Sequence, residues 1–224
     1  MTTERGAAVG AKFRRVLAPI RRVAVGALAA ALLVASWSAL AADPRPVHRP
    51  GKFLACDRYD EAIQAATAEY WRAGPDWLFW KAQLYAESRC NPAARSPAGA
   101  EGIAQFMGAT WADVSRRMGT DPRSVPRTTA RVAIRYGALY MADQHRTWRR
   151  WAPMLAPIEN HRFAMASYNS GADHQLNSWR ACGRPATWAE AVACLHQFTG
   201  RHAAETRAYG PKIERFRDEM LGKR

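Results

Sequence analysis

The sequence lacks any run of alternating apolar and polar residues, and it contains no internal repeat. A half-buried β-strand needs that alternation, because successive side chains of a strand point to opposite faces of the sheet. These absences disfavour a β-sheet protein and a repeat array. Hydrophobic residues make up 48% of the chain, which is typical of a globular protein. We therefore expect a mostly α-helical fold.

Acidic residues are few, since 19 Asp and Glu stand against 33 Lys and Arg, for a formal net charge of +14. Residues 1–42 hold six of the basic residues and one acidic residue, so the remainder still carries about +9. A surface of this sign attracts polyanions. Nucleic acid, anionic lipid and bacterial cell wall all qualify, so charge alone does not identify the partner.

Residues 23–42 contain no charged side chain. Basic residues precede this run and small residues end it, which is the layout of a secretory signal with an A-x-A-like end at Ala39-Leu40-Ala41. The run is also long enough for a retained membrane anchor, and a buried core helix is a third interpretation. On either membrane interpretation we expect the rest of the chain to be exported, into the periplasm or anchored to the inner membrane facing it. No cysteine lies near residue 42, which excludes a lipid-modified cysteine there.

Cysteine is scarce, and the four cysteines are Cys56, Cys90, Cys182 and Cys194. There is no C-x-x-C pair and no histidine at ligand spacing, which disfavours a metal site; we expect no cofactor. An even count in an exported chain suggests disulfides, and four cysteines allow three connectivities. Proximity favours Cys182–Cys194, which leaves Cys56–Cys90 as the second pair. Four buried thiols are the alternative.

The segment 43–52 is basic and rich in proline, which predicts an extended linker. Residues 53–224 predict a single domain whose apolar residues recur at helical spacing. Helices are expected over 57–73, 77–89, 103–118, 130–149, 159–170, 187–199 and 204–221, with Asp76 as the N-cap of the second. Loops are expected over 91–102 and 119–129. Long loops in a compact domain tend to be functional.

Glu87 ends an unusually apolar helix and precedes a loop of Asn, Pro, Ser and Gly. A carboxyl group beside aromatic neighbours has its pKa raised by desolvation, so it can hold a proton near neutral pH and donate it. Glu87 is therefore the best candidate for a general acid. The alternative is a solvated residue at a helix end that pairs with Arg89.

Three sequence blocks together resemble the lytic transglycosylases that carry the soluble-type, goose-lysozyme-like domain. The second block is Tyr168-Asn169-x-Gly171, and the third is Glu205-Thr206 followed by Tyr209. The first block has the most matches: Glu87-Ser88, Asn91-Pro92, Ala94, Ser96, Gly99-Ala100, Gly102 and Gln105. The blocks stand in the family's order over roughly residues 76–216. The chain departs from the family's usual residues around Gln105, at Ala104 and Gly108.

The resemblance implies a lysozyme-like helical domain with long active-site loops, and it implies a role for each matching residue. Glu87 would be the single catalytic acid/base, acting on the bond between N-acetylmuramic acid and N-acetylglucosamine and leaving a 1,6-anhydro end. Tyr209 would bond to Glu87 and set its orientation, and Thr206 would pack behind it. The residues that would contact the substrate or orient the acid are Ser88, Gln105, Tyr168 and Asn169. The partner would be the peptidoglycan glycan strand, and we expect a monomer.

Hydrolysis is the main alternative to this chemistry. Ordinary glycosidases use two carboxylates, and the hydrolytic relatives usually carry an extra Asp in the loop before the Gly-x-x-Gln block. The corresponding loop here has no Asp and only one acid, Glu101, which we expect to lie on the loop surface. Asp113 and Asp173 are weaker candidates. We therefore favour the non-hydrolytic reaction.

Other functions remain open on the sequence alone. A noncatalytic peptidoglycan-binding scaffold would be expected to have lost Glu87, which is present. Charge alone suggests a nucleic-acid-binding protein, but the export segment argues against one, and we expect no nucleic acid partner. The enzyme could remodel its host's wall, serve a secretion apparatus, or be a phage lysis enzyme with a releasable anchor.

Overall fold

The computed structural model describes residues 51–72, 74–195, 200 and 203–223. The predictions for residues 1–42 and for nearly all of 43–52 therefore fall outside the described residues. The α-helices in chain order are α1 Leu54–Asp57, α2 Asp60–Tyr70, α3 Trp77–Ser88, α4 Gly108–Arg117, α5 Ala130–Trp151, α6 Pro157–Ser170, α7 Ala172–Ala181, α8 Trp188–Ala191 and α9 Ala203–Met220. Within these ranges the backbone forms no strand, and Glu101 makes isolated bridges to Arg95 and Phe106. The predicted mostly helical fold is confirmed.

Helix α3 is the centre of the domain. Its first nine residues, Trp77 to Tyr85, are all buried, and they include the polar Lys81 and Gln83. Burial of a whole helix segment is expected where apolar residues lie on every side of it. It begins where the sequence predicts, because the Asp76 carboxylate accepts the Leu78 amide at 3.1 Å. Trp80 is completely buried and donates its indole N–H to the Ile134 carbonyl of α5 at 3.2 Å. The helix that carries Glu87 is therefore held on a packed, hydrogen-bonded core.

Helix α9 packs along α3 in the opposite direction. Near the C-terminal end of α9, Arg217 Nε donates to the Asp76 carboxylate at 2.9 Å, at the start of α3. Earlier in α9, Lys212 Nζ donates to the Ala86 carbonyl at 3.2 Å, near the end of α3. This antiparallel packing brings the first half of α9 to Glu87.

Both favoured disulfide pairs are formed. Cys56–Cys90 joins α1 to the turn after α3 with a Cα–Cα distance of 5.2 Å, and both sulfur-bearing residues are completely buried. Cys182–Cys194 joins the end of α7 to the 3₁₀ turn Val192–Cys194, with a Cα–Cα distance of 5.7 Å.

Two helix predictions were wrong in part. The helix expected over 103–118 begins at Gly108, because residues 103–107 continue the loop: Gln105 has a positive φ of 48°, and Glu101 and Phe106 exchange backbone hydrogen bonds of 3.1 and 3.0 Å. The segment Ala172–Ala181 forms α7, which the sequence analysis did not predict. The helix expected over 187–199 is shorter, since α8 ends at Ala191.

In the part of the chain that the structure describes, no helix is long and apolar enough to cross a bilayer.

Candidate active site

Glu87 lies in the last turn of α3, where the helix leaves the core: part of the residue is exposed, while the surrounding protein desolvates its carboxyl group. After the helix end at Ser88, the next two residues, Arg89 and Cys90, have positive φ values of 56° and 57°, which end the helix abruptly. The Arg89 amide bonds to the Tyr85 carbonyl at 3.0 Å, and Cys90 is joined to Cys56. The backbone that carries Glu87 is therefore fixed on its C-terminal side by a cap and a disulfide.

Tyr209 of α9 is buried and donates its hydroxyl hydrogen to Oε1 of Glu87. The two residues are 122 positions apart in the sequence. They meet because α9 returns along α3, so their contact is a product of tertiary packing. The hydrogen bond orients the carboxyl group from the buried side of the site.

The surroundings of Glu87 raise the pKa of its carboxyl group into the neutral range. Burial raises the pKa of Glu87 to about 7, and the negative charge of Glu205 adds to that rise. The Tyr209 hydrogen bond and the Lys212 charge act in the opposite direction. Desolvation outweighs both, so about half of the molecules hold the proton at pH 7. The protonated fraction is the form that a general acid needs.

Ser88 and Gln105 hold the loop that follows α3. The Ser88 hydroxyl donates to the Ile103 carbonyl at 2.8 Å. The Gln105 amide donates to the carbonyls of Gly102 and Ala94 at 3.0 and 3.3 Å. Both donors are thus bonded to the loop backbone, and neither makes a hydrogen bond to Glu87. Their predicted contact with substrate stays a prediction.

The close approach of Gly102 to the next loop fixes the shape of this region. Gly102 has a φ of +81°, and a Cβ atom there would lie 2.1 Å from the Arg127 carbonyl oxygen. The Arg127 guanidinium in turn donates to the carbonyls of Gly99 and Phe106 at 2.9 and 2.8 Å. The loop beside Glu87 is therefore a hydrogen-bonded structure that is packed against its neighbour.

The end of α6 brings Tyr168 and Asn169 to the same region. The Tyr168 hydroxyl donates to the Ala104 carbonyl at 2.8 Å. The pKa of this phenol is raised well above its usual range by burial and by the charge of Glu87. The Asn169 amide donates to Glu205 at 3.3 Å, and the Asn169 oxygen accepts from Thr206 at 2.8 Å. The three sequence blocks thus meet in space, at the ends of α3 and α6 and the start of α9.

Two of the three carboxylates weighed as a second catalytic group, Glu101 and Asp113, lie in ion pairs. Glu101 pairs with Arg127 at 3.1 Å and with Arg95 at 3.3 Å, so it lies within the loop as a structural ion pair. Asp113 is exposed on α4 and pairs with Arg117 at 3.1 Å. Asp173 lies in the first turn of α7.

Glu205 is the carboxylate that the sequence analysis left without a role. It bonds to Asn169, and its charge raises the pKa of Glu87. Residues four apart lie on one face of a helix. The position of Glu205 four residues before Tyr209 could therefore have predicted from the sequence that Glu205 lies near Glu87. Among the described residues there is no group of three or more His, Cys, Asp or Glu that could hold a metal ion.

Comparison with known proteins shows the family of this chain. The profile of the family described as "Transglycosylase SLT domain" matches residues 65–190 of this chain. Membrane-bound lytic murein transglycosylase F of Yersinia pestis is 27% identical over 139 residues, which cover 60% of this chain and 26% of that protein. The protein of the same name from Vibrio cholerae is 26% identical over 180 residues, which cover 74% of this chain and 31% of the relative. The chain thus spans about a third or less of the length of these relatives.

Solved structures show the same fold. The 70 kDa soluble lytic transglycosylase SLT70 of Escherichia coli aligns with a TM-score of 0.54 at 18% identity, over 74% of this chain and 25% of that one. An inactive mutant of lytic transglycosylase Slt from Pseudomonas aeruginosa aligns with a TM-score of 0.54 at 20% identity, over 72% of this chain and 24% of that one. At these identities the likeness is one of fold.

Proposed function

Because the chain belongs to the transglycosylase SLT domain family, we propose that it is a lytic transglycosylase that cleaves the β-1,4 bond between N-acetylmuramic acid and N-acetylglucosamine in peptidoglycan. The observation that carries the proposal is the Glu87 carboxyl group, whose pKa of about 7 and bond from Tyr209 suit an acid that gives and then takes a proton. A group that titrates near the working pH serves both steps well.

The reaction needs one acid/base residue. Protonated Glu87 gives its proton to the glycosidic oxygen, and the bond from that oxygen to the anomeric carbon breaks. The Glu87 carboxylate then takes the proton of the muramoyl 6-hydroxyl, whose oxygen bonds to the anomeric carbon. The product ends in a 1,6-anhydro ring, no water is consumed, and Glu87 regains its proton.

We propose that Gln105, Tyr168 and Asn169 contact the sugars and that Ser88 acts through the loop. The first two both bond to the loop between α3 and α4, and Asn169 lies beside Glu205, whose charge reaches Glu87. A glycan strand that lies across Glu87 would meet these polar groups on either side. The excess of basic residues suits a wall polymer whose peptides carry carboxylates.

We propose that the protein acts outside the cytoplasm, in the periplasm or on the inner membrane facing it. The apolar run 23–42 supports export, and two disulfides suit an oxidising compartment. The mass of the mature protein, measured in membrane and periplasmic fractions, distinguishes a cleaved signal from a retained anchor. The expectations of a monomer and of no nucleic acid partner stay predictions.

Mass spectrometry of a peptidoglycan digest tests the reaction. We expect muropeptides about 18 Da lighter than those of a hydrolytic digest run in parallel, because no water is added. Ordinary reducing ends would instead show hydrolysis, with Glu205 as the carboxylate to test next. The absence of any released muropeptide from the folded protein would contradict the proposed function.

The pH dependence of turnover gives an independent test. We expect the rate to fall as the pH rises through about 7, because the reaction starts from protonated Glu87. We expect no matching fall near pH 4, the pKa of an ordinary carboxyl group, because no second carboxylate has to be ionised. Initial rates of muropeptide release across the range check this. A bell-shaped profile with an acidic limb would point to a two-carboxylate mechanism.

A further inference from the structure

Gln83 is a buried polar residue that the mechanism above does not use. It lies one helical turn before Glu87 on α3 and has 0% exposure. In the described part of the chain, neither its Nε2 nor its Oε1 has a hydrogen-bond partner at full geometry. A buried amide without a partner is unfavourable. An apolar side chain would therefore suit this position better if packing were its only role.

The neighbour of Gln83 that matters is the Tyr209 hydroxyl. Residues four apart lie on the same face of a helix, so Gln83 and Glu87 face α9 together. Burial and the charge of Glu87 raise the pKa of Tyr209 well above its usual range, while the Gln83 amide acts to lower it. The amide is thus close enough to the phenol to act on it, although the two do not form a hydrogen bond of full geometry. The phenol oxygen gives its hydrogen to Glu87 and keeps its lone pairs for a donor.

We propose that Gln83 is a positioning residue that completes a relay to Glu87: its Nε2–H donates to the Tyr209 oxygen, and the Tyr209 hydroxyl donates to the Glu87 carboxyl group. Forming the first bond requires the Gln83 amide to rotate from the orientation in which it has no partner. Hydrogen bonds in a chain polarise one another, so the first bond strengthens the second and holds the carboxyl group in one orientation. The catalytic meaning of the relay rests on the proposed function, whereas the relay itself does not.

The relay predicts the direction in which the Glu87 titration moves. The charged and titratable groups that act on Glu87 are Tyr209, Lys212 and Glu205, all on α9. The charge of Glu87 in turn raises the pKa of the Tyr168 phenol on α6. The bond from Tyr209 stabilises the carboxylate and lowers the pKa of Glu87. Loss of Gln83 weakens that bond and leaves the other groups in place, so the pKa of Glu87 rises.

A double-mutant cycle tests the relay through Gln83→Met, Tyr209→Phe and the two together. The readouts are the side-chain carboxyl ¹³C resonance of Glu87, assigned with Glu87→Gln and titrated by NMR, and the alkaline limb of the rate profile. We expect Gln83→Met to raise the pKa by about half a unit and Tyr209→Phe to raise it further. The double variant should match Tyr209→Phe alone, because the relay acts through the phenol.

Gln144→Met is the matched control. Gln144 is also a buried glutamine with an amide oxygen that lacks a partner within the described ranges, but it lies on α5. We expect its substitution to leave the Glu87 titration unchanged. If Gln83→Met proves unstable, Gln83→Leu removes the same amide with a smaller side chain.

Two results would overturn the relay. One is an unchanged Glu87 titration in Gln83→Met, and the other is an equal shift when the change is made in the Tyr209→Phe background. The NMR titration needs no substrate. If the protein releases no muropeptides, the proposed function fails while the titration still decides the relay.

Discussion

Glu87→Gln is expected to reduce muropeptide release by about 10³-fold or more, towards the upper end of what general acid–base catalysis contributes. The amide is nearly isosteric with the carboxyl group, but it can neither protonate the glycosidic oxygen nor accept the proton of the 6-hydroxyl. Proton donation and proton acceptance both use the Glu87 carboxyl group, so the substitution slows both steps. Chromatographic quantification of soluble muropeptides from purified peptidoglycan measures it.

The control for this substitution is Asp113→Asn, which neutralises an exposed carboxylate paired with Arg117 on α4. We expect it to keep activity within about twofold, since exposed pairs contribute little. Glu87→Gln should keep or increase its melting temperature at pH 8, because a neutral side chain avoids the desolvation that raises the pKa of Glu87. Activity that survives in Glu87→Gln would remove this residue from the mechanism.

Replacing Cys56 and Cys90 together by alanine is expected to have the largest effect on stability. The disulfide closes a separation of 34 residues, which corresponds to about 3.8 kcal/mol of unfolding free energy in the chain-entropy model. Both cysteines are completely buried, so the alanines also lose packing. Urea unfolding under non-reducing conditions measures the free energy of unfolding.

The same exchange at Cys182 and Cys194 provides the comparison. This bridge closes a separation of 12 residues, which corresponds to about 2.8 kcal/mol in the same model, and both cysteines are partly exposed. It joins α7 to the 3₁₀ turn and makes no covalent link to the end of α3, so we expect a smaller loss of both stability and activity. A larger loss here than at Cys56–Cys90 would contradict the view that the first bridge secures the end of the catalytic helix.

The sequence predicted correctly those helices that are marked by an N-cap residue or by apolar residues at helical spacing. Asp76 caps α3 as expected, and the apolar run behind it forms a helix that is buried on every side. The long periodic segment near 130–149 forms α5, Ala130–Trp151. Caps and periodicity act within a few residues, so one sequence contains what is needed to find them.

The elements that were missed depend on distant parts of the chain. Helix α7 has two large apolar residues, Leu176 and Trp179, and their burial depends on neighbouring helices. Residues 103–107 look apolar enough for a helix. They remain a loop because Gly102 packs against the Arg127 backbone and Ser88 bonds to Ile103. No pattern inside either segment carries that information.

The candidate site likewise has features that the local sequence predicts and features that depend on distant parts of the chain. The sequence by itself determined that a glutamate ends an apolar helix, and the three blocks named most of its companions. The resemblance also implied the bond from Tyr209, and the structure places that hydroxyl on the Glu87 carboxyl group. Only the tertiary structure decided that the pKa of Glu87 is about 7 and that Glu205 acts on it. The physical reason is that desolvation and hydrogen bonding depend on which groups surround a side chain. Here those groups come from α9, more than a hundred residues later in the chain.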